Sequence, residues 1–312
     1  MVRRIDVADE SVAGALSGAA ARQLSTVTKS APQWSGITPR WLVPLLEWVP
    51  VEAGVYRVNR VAEPKAAEAD VVCSPEGDAD LPESFVDYET NPREFTLNAV
   101  TTVLEVQTRV SDLYQSPHDQ VREQLRLTVE KVKERQERQL FNNEDYGLLH
   151  QVTPEQRIKT RTGAPTPDDL DALIAKVWKQ PSYFLAHPDA VAAIGRECTR
   201  RGVPPATTNI FGGTFLTWRG IPIIPTDKID VEKGKTTVLL VRIGYEKQGV
   251  IGLFQPGVPG EVGPSLSVRF MGIDKRAVAS YLVSLYCSAA VLSPDAIGAL
   301  DNVDVTKFHE YA

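Results

Sequence analysis

The residues best suited to chemistry in this 312-residue chain are four histidines, three cysteines and a run of carboxylates. The histidines are His118, His150, His187 and His309. None has a second histidine three or four residues away, the spacing that would set two imidazoles on one helical face for a metal. His187 precedes a proline at an expected strand end, a place where active-site residues sit, but a structural or capping role is its more ordinary use. Cys73, Cys198 and Cys287 are odd in number and far apart, with no CxxC or Cys/His spacing, so neither a zinc site nor a disulfide framework is implied. Cys198 falls on the apolar face of an expected helix, where a buried, inert thiol is the default. Asp78 and Asp80 belong to the stretch 62–94, which holds ten carboxylates against Lys65 and Arg93. No calcium-loop pattern accompanies them, so this is a solvated charge run. Glycine-rich phosphate loops and the GxSxG elbow are missing. Triads assemble from distant positions, so a serine or cysteine nucleophile stays open by sequence. No catalytic, cofactor-binding or metal residue is assigned.

The elements around these residues are organised by one stretch, Ser116 to Asn142. Ser116 can cap a helix, Pro117 suits its first position, and Asp119 stands three residues after the cap. Val121, Leu125, Val129 and Val132 form one narrow apolar face at three- and four-residue spacings. Glu130 with Lys133, and Glu134 with Arg138, are acid-before-base pairs on that helix. About 25 residues at ~1.5 Å each make a rod of roughly 37 Å, long enough to span a domain.

Before it lies an arm. Residues 21–39 are polar with no period, and then Trp34, Trp41, Leu42, Leu45, Leu46 and Trp48 concentrate apolar bulk around Pro44. Such side chains need a surface, either the chain's own core or a neighbouring copy. A strand is expected within 51–61, the acidic excursion follows, and 94–114 reads as one or two Val- and Thr-rich strands. After the rod the rhythm is α/β: a helix at 166–179, a strand at 183–186, and a second helix from Pro188 to near Gly202. The stretch Gly202 to Gly213 reads as a loop with no acid or base. Strands are expected at 214–218, 221–224, 236–244, 250–254 and 265–271, and a short helical turn at Ser293–Asp295. The apolar stretch Arg276 to Val291 fits a buried strand or a buried helix by period, with strand the preferred reading.

The totals narrow the class. Lys plus Arg is 34 and Asp plus Glu 40, a formal charge of −6, which argues against a general nucleic-acid coat. Hydrophobic residues make up 43%, ordinary for a globular chain. No signal peptide opens the sequence, no apolar run is long enough to span a bilayer, and free thiols fit a cytosol.

The order of elements resembles the α+β capsid fold of the Hong Kong 97 phage type. FVDYETNPREFTLNAVTTVLEVQTRVSDLY is similar to its extended loop and returning strands, and QVREQLRLTVEKVKERQERQLFN to the spine helix of its peripheral domain. YFLAHPDAVAAI, TFLTWRGIPIIPTDKI and TTVLLVRIGYEKQGVIGLF resemble its axial domain. More closely, ARQLSTVTKSAPQWSGITPRWLVPLLEWVPVEAGVYRVNRV and SVRFMGIDKRAVASYLVSLYCSAAVLSPDAIGALDNV resemble a family 2 encapsulin. There is no surplus segment for a cyclic-nucleotide-binding insertion, so the likeness is to type A.

The resemblance implies an arm (1–50), an extended loop with its strands (51–115), a spine helix (116–146), an axial domain (147–260) and a peripheral return strand with a tail (261–312). It implies a closed icosahedral homo-oligomer without catalysis of its own, cytoplasmic, with at most peripheral membrane association. The enclosed partner would be a cargo enzyme, a cysteine desulfurase, serving sulfur metabolism or storage. Pyridoxal phosphate would belong to that cargo, and neither a cofactor in this chain nor a nucleic-acid partner is expected. Trp34, Trp41, Leu42, Leu45, Leu46 and Trp48 would be the inter-subunit arm. By position, Pro204, Pro205, Ala206, Thr207, Thr208, Asn209 and Ile210 would line a neutral five-fold pore. Two other readings compete: a phage capsid protein enclosing DNA, and a soluble α/β enzyme.

Overall fold

The computed structural model describes residues 38–59, 88–107 and 120–308. The expected cap at Ser116 and Pro117, the arm residue Trp34, and Cys73, His118 and His309 lie outside these residues, as does most of the acidic excursion.

In chain order the elements are α1 (Leu42–Leu45), β1 (Glu47–Pro50), β2 (Val55–Val58), β3 (Arg93–Thr96), β4 (Asn98–Gln107), α2 (Gln120–Asn142), α3 (Leu148–Gln151) and β5 (Arg157–Lys159). Next come α4 (Pro167–Lys176), β6 (Tyr183–Ala186), α5 (Pro188–Arg200), β7 (Ala206–Ile210), β8 (Gly213–Trp218), β9 (Ile221–Pro225) and β10 (Lys235–Val241). The last are β11 (Val250–Phe254), β12 (Glu261–Gly263), β13 (Leu266–Ile273), β14 (Val278–Val291) and β15 (Ile297–Asp304).

Two sheets dominate. The first runs β1-β11-β14-β13-β12, with β4 also paired to β14; the second runs β5-β15-β10-β6-β9-β8-β7. Arg276 to Val291 is a strand for most of its length. Its residues 278–287 pair with β4 and its last five, Cys287 to Val291, with β11. The long helix α2 lies on the first sheet through the expected stripe. Val132, with Leu125 and Val129, packs on Leu266, Val283, Leu285 and Cys287. Period 2 on the strands meets period 3.6 on the helix along one seam.

The second sheet is apolar on both faces. Phe184 and Ala186 of β6, Ile223 of β9, and Val238 and Leu240 of β10 face one core with α4 and α5. The alternate residues, Leu185, Ile224, Leu239 and Val241, face another core with α1, the end of α2, and α3. Burial on both faces explains why these strands read as unbroken apolar runs. Thr166 and Asp169 form a reciprocal capping box on α4, and Pro188 stands at the first position of α5.

The structure departs from the sequence expectations at several points. The segment 42–50 carries local structure, a helical turn and a strand parallel to β11. Five residues of the expected loop 202–213 are strand β7, paired to β8. The sheets do not follow the expected division at residue 260: β11 pairs with β14, and β15 joins β10 in the other sheet. Glu134 and Arg138 do not pair with each other; Glu134 takes Lys228 and Arg138 takes Asp230. Lys133 and Glu130 stand 3.8 Å apart, as the spacing suggests.

Candidate functional site

Two regions carry the residues singled out from sequence, and they meet. The first is the segment 38–50. Leu42, Leu45 and Leu46 are buried in a core with Leu140 and Phe141 of α2 and Leu148 of α3. Of the two surfaces open to these leucines, the chain's own core is the one they occupy here. Trp41 and Trp48 are half-buried. Trp48 donates its indole N–H to the Val43 carbonyl at 2.8 Å, and its ring lies over Gly252, where a Cβ would come within 2.7 Å of it. Glycine there is what permits β1 to pair so closely with β11.

Carboxylates of α2 steer this segment. Glu130 pairs with Arg40 at 2.8 Å. Glu134 accepts from the Thr38 hydroxyl at 3.1 Å and also binds the Lys228 ammonium. Glu137 accepts the Leu42 backbone N–H at 3.1 Å. Positions 130, 134 and 137 are four and three apart, so they share a helical face. Lys228 is only 2% exposed and also reaches Asp227 at 2.7 Å. Its burial is matched by two carboxylates and the Thr38 hydroxyl, as a buried ammonium requires.

The second region is the β7–β8 hairpin. Its turn is Phe211-Gly212, with φ of +52° and +76°, the two-residue left-handed turn that suits twisted strands. Phe211 is an unusual residue for that conformation. Its ring lies 6.1 Å from Trp41, and Phe215 meets Trp41 edge-on at 5.4 Å. Ile210 packs against the same core. The pore stretch is therefore divided. Ile210, next to the turn, lies against the arm, and the neighbouring Asn209 accepts from the Thr214 hydroxyl at 2.8 Å. Pro204, Pro205, Ala206 and Thr207 lie toward the opposite, open end, with Pro204, Ala206 and Thr207 exposed. Thr208 stands between, paired with Phe215. The hairpin is hard to see in sequence because the short run Ala206–Ile210 is Thr- and Asn-rich, and only Thr208 and Ile210 on one face are even partly buried, too little apolar alternation to mark a strand.

The candidates for chemistry stay scattered. The His187 imidazole accepts the Asp189 N–H at 3.2 Å through Nδ1, which makes it the N-cap of α5. Cys198 and Cys287 are fully buried, and burial pushes their thiols up to about 11 and about 12, far from the thiolate a nucleophile needs. Among the described residues no group of three or more His, Cys, Asp or Glu is placed to hold a metal, and no helix is long and apolar enough to cross a membrane. Between the arm, α2 and the β12–β13 hairpin lies a cleft of about 680 Å³ whose walls include Arg40, Trp48, Lys133 and Leu266. Such walls bind or pack and offer no acid–base set.

The sequence model of the family described as type 2A encapsulin shell protein SrpI-like matches residues 56–307. The type 2A encapsulin shell protein SrpI of Synechococcus elongatus is 62% identical over 297 residues, covering 95% of this chain and 96% of its own. A type 2A encapsulin shell protein of Mycobacterium leprae is 61% identical over the same share of this chain and 97% of its own. The structure of the holo-SrpI encapsulin complex from Synechococcus elongatus superposes with a TM-score of 0.82 at 60% identity, over 96% of this chain and 99% of that one. A Microbacterium phage structure superposes at 0.63 with 12% identity, covering 91% and 98%, a likeness of fold alone. A matched family and relatives of equal length at this identity leave one assignment: this chain belongs to the type 2A encapsulin shell proteins, structural proteins rather than enzymes, built on the Hong Kong 97-type capsid fold.

Proposed function

We propose that copies of this chain close into an icosahedral homomeric shell that encloses a cargo enzyme in the cytoplasm. The observation that carries this reading is full-length identity of about three residues in five with shell proteins of the family. Closure needs each copy to present the same complementary surfaces, which a single chain type supplies under point-group symmetry. The cargo is a cysteine desulfurase, and its role lies in sulfur metabolism or storage. Pyridoxal phosphate travels with that cargo. The family resemblance supports this choice. The open end of the β7–β8 hairpin, Pro204 to Thr207, lines a pore at the five-fold axis. Its neutral side chains pass small solutes with little charge selection.

Electron microscopy of the purified protein, expressed alone, tests the shell. Uniform hollow particles are expected, and small discrete oligomers under several salt and pH conditions would overturn it. Particles purified from the native cell test the contents. A desulfurase identified by mass spectrometry, with pyridoxal phosphate absorbance in the particle fraction, is expected. Nucleic acid in its place would favour a capsid role, and an unrelated enzyme would refute the cargo while leaving the shell.

A further inference from the structure

Glu137 stands apart from the other acids on α2. Its side chain is 0% exposed. One oxygen accepts the Leu42 N–H, while Oε2 is buried and makes no hydrogen bond among the described residues. It sits where the segment 38–46 turns onto the helix. The backbone N–H groups of Trp41, Leu42 and Val43 in that segment are turned to the carboxyl, so lifting the segment away removes those donors and leaves the carboxyl to water. We propose that docking of residues 38–46 on α2 is proton-linked through Glu137, tightening as pH falls and loosening as pH rises.

Burial pushes the Glu137 carboxyl up to about 7, and does so against the Leu42, Val43 and Trp41 backbone N–H groups and the Lys228 charge, all of which favour the ionised form. Undocked and hydrated, the same carboxyl returns to the ordinary range of about 4.3. Docking therefore takes up a proton between those values. Its stabilisation is fully present below the ordinary value and is lost as pH rises through about 7.

The charged groups around it do not supply an alternative switch. Arg40 of the docked segment is held by Glu130. Glu134 and Asp227 are held by Lys228, and Arg138 by Asp230. Lys133 lies beside Glu130, and Tyr146, in the adjoining core, is raised by burial out of the physiological range.

Hydrogen–deuterium exchange of the purified full chain tests this, read by mass spectrometry from about pH 5 to 8, the span in which docking takes up the proton and the plateau above it, and corrected for the intrinsic pH dependence of exchange. Protection of the peptide spanning 38–46 is expected to fall roughly tenfold per unit from about pH 5 to 7 and to level off above that, while a β6 peptide stays level throughout. Glu137→Gln keeps an oxygen for the Leu42 N–H and cannot ionise, so its protection should be level across the range. Glu134→Gln, altering a carboxylate already paired with Lys228, should keep the wild-type slope. A wild-type peptide 38–46 as level as β6, or a wild-type slope retained in Glu137→Gln, would overturn the proposal. The wild-type profile needs no variant, so misfolding of Glu137→Gln leaves the test intact.

Discussion

Arg242 is 2% exposed, and its guanidinium is held by Asp295 at 3.0 Å and by the carbonyls of Lys179 and Gln248 at 3.3 and 3.4 Å. These two residues stand where the chain crosses between the sheets, from β10 to β11 and from β14 to β15. Breaking a buried pair on one side costs more than the pair contributes, because the remaining charge is stranded. Asp295→Asn should therefore lose about 3–5 kcal/mol in chemical denaturation. Burial alone would raise the Asp295 carboxyl. Hydrogen bonds from Arg242, Ser293 and Lys179 outweigh burial and hold it well below the usual carboxylate range. Its stabilisation is present above the ordinary value and is lost as pH falls beneath it, so the wild type should resist acid further down than Asp295→Asn does. Gly252 makes a second case. A methyl group there meets the Trp48 ring at 2.7 Å, and Gly252→Ala should lower stability by about 1–3 kcal/mol in the same measurement.

At the scale of elements, α1 is a four-residue turn that no propensity would hold alone. Its place comes from Leu42, Leu45 and Leu46 filling the gap between the end of α2 and the second sheet. Leu42→Ala should cost about 2–5 kcal/mol, a truncation at a fully buried site. The same variant should make the segment sensitive to limited proteolysis, with cleavage at Arg40 as the readout. The β7–β8 hairpin leans on this segment through Trp41, so changes in the arm should be felt at the turn Phe211-Gly212 as well.

At the scale of the molecule, exposed apolar surface gathers on β13. Phe270, Met271 and Ile273 are 57%, 60% and 61% exposed, and Phe270 pairs with Tyr281 at 5.4 Å. An exposed apolar patch marks a contact surface, and on a shell subunit the contact expected there is with a second copy. The double substitution Phe270→Ser with Ile273→Ser should leave the circular dichroism of the subunit unchanged. It should cut particle yield roughly tenfold, the effect of about 1.4 kcal/mol lost in association. Unchanged yield would place the contact elsewhere.

Much of this architecture is readable from local chemistry. The stripe Leu125, Val129 and Val132, the capping box at Thr166, and strand β6 each depend on residues close in sequence, where period and cap chemistry act. The strand preference at 276–291 also held, through its β-branched and aromatic content. The family resemblance was equally legible, because it rests on order along the chain. Other features depended on partners far away. Segment 42–50 became a turn and a parallel strand because β11, about two hundred residues on, offers an edge over Gly252. Glu134 chose Lys228 over Arg138 because a buried ammonium needs carboxylates more than an exposed helical pair needs itself. The loop 202–213 became a hairpin leaning on Trp41 for the same kind of reason. Sequence by itself determined most of the elements and the family. Tertiary structure alone decided which sheet each strand joins, where the arm docks and which carboxyl is buried, because those choices are set by long-range packing and desolvation that no local pattern carries.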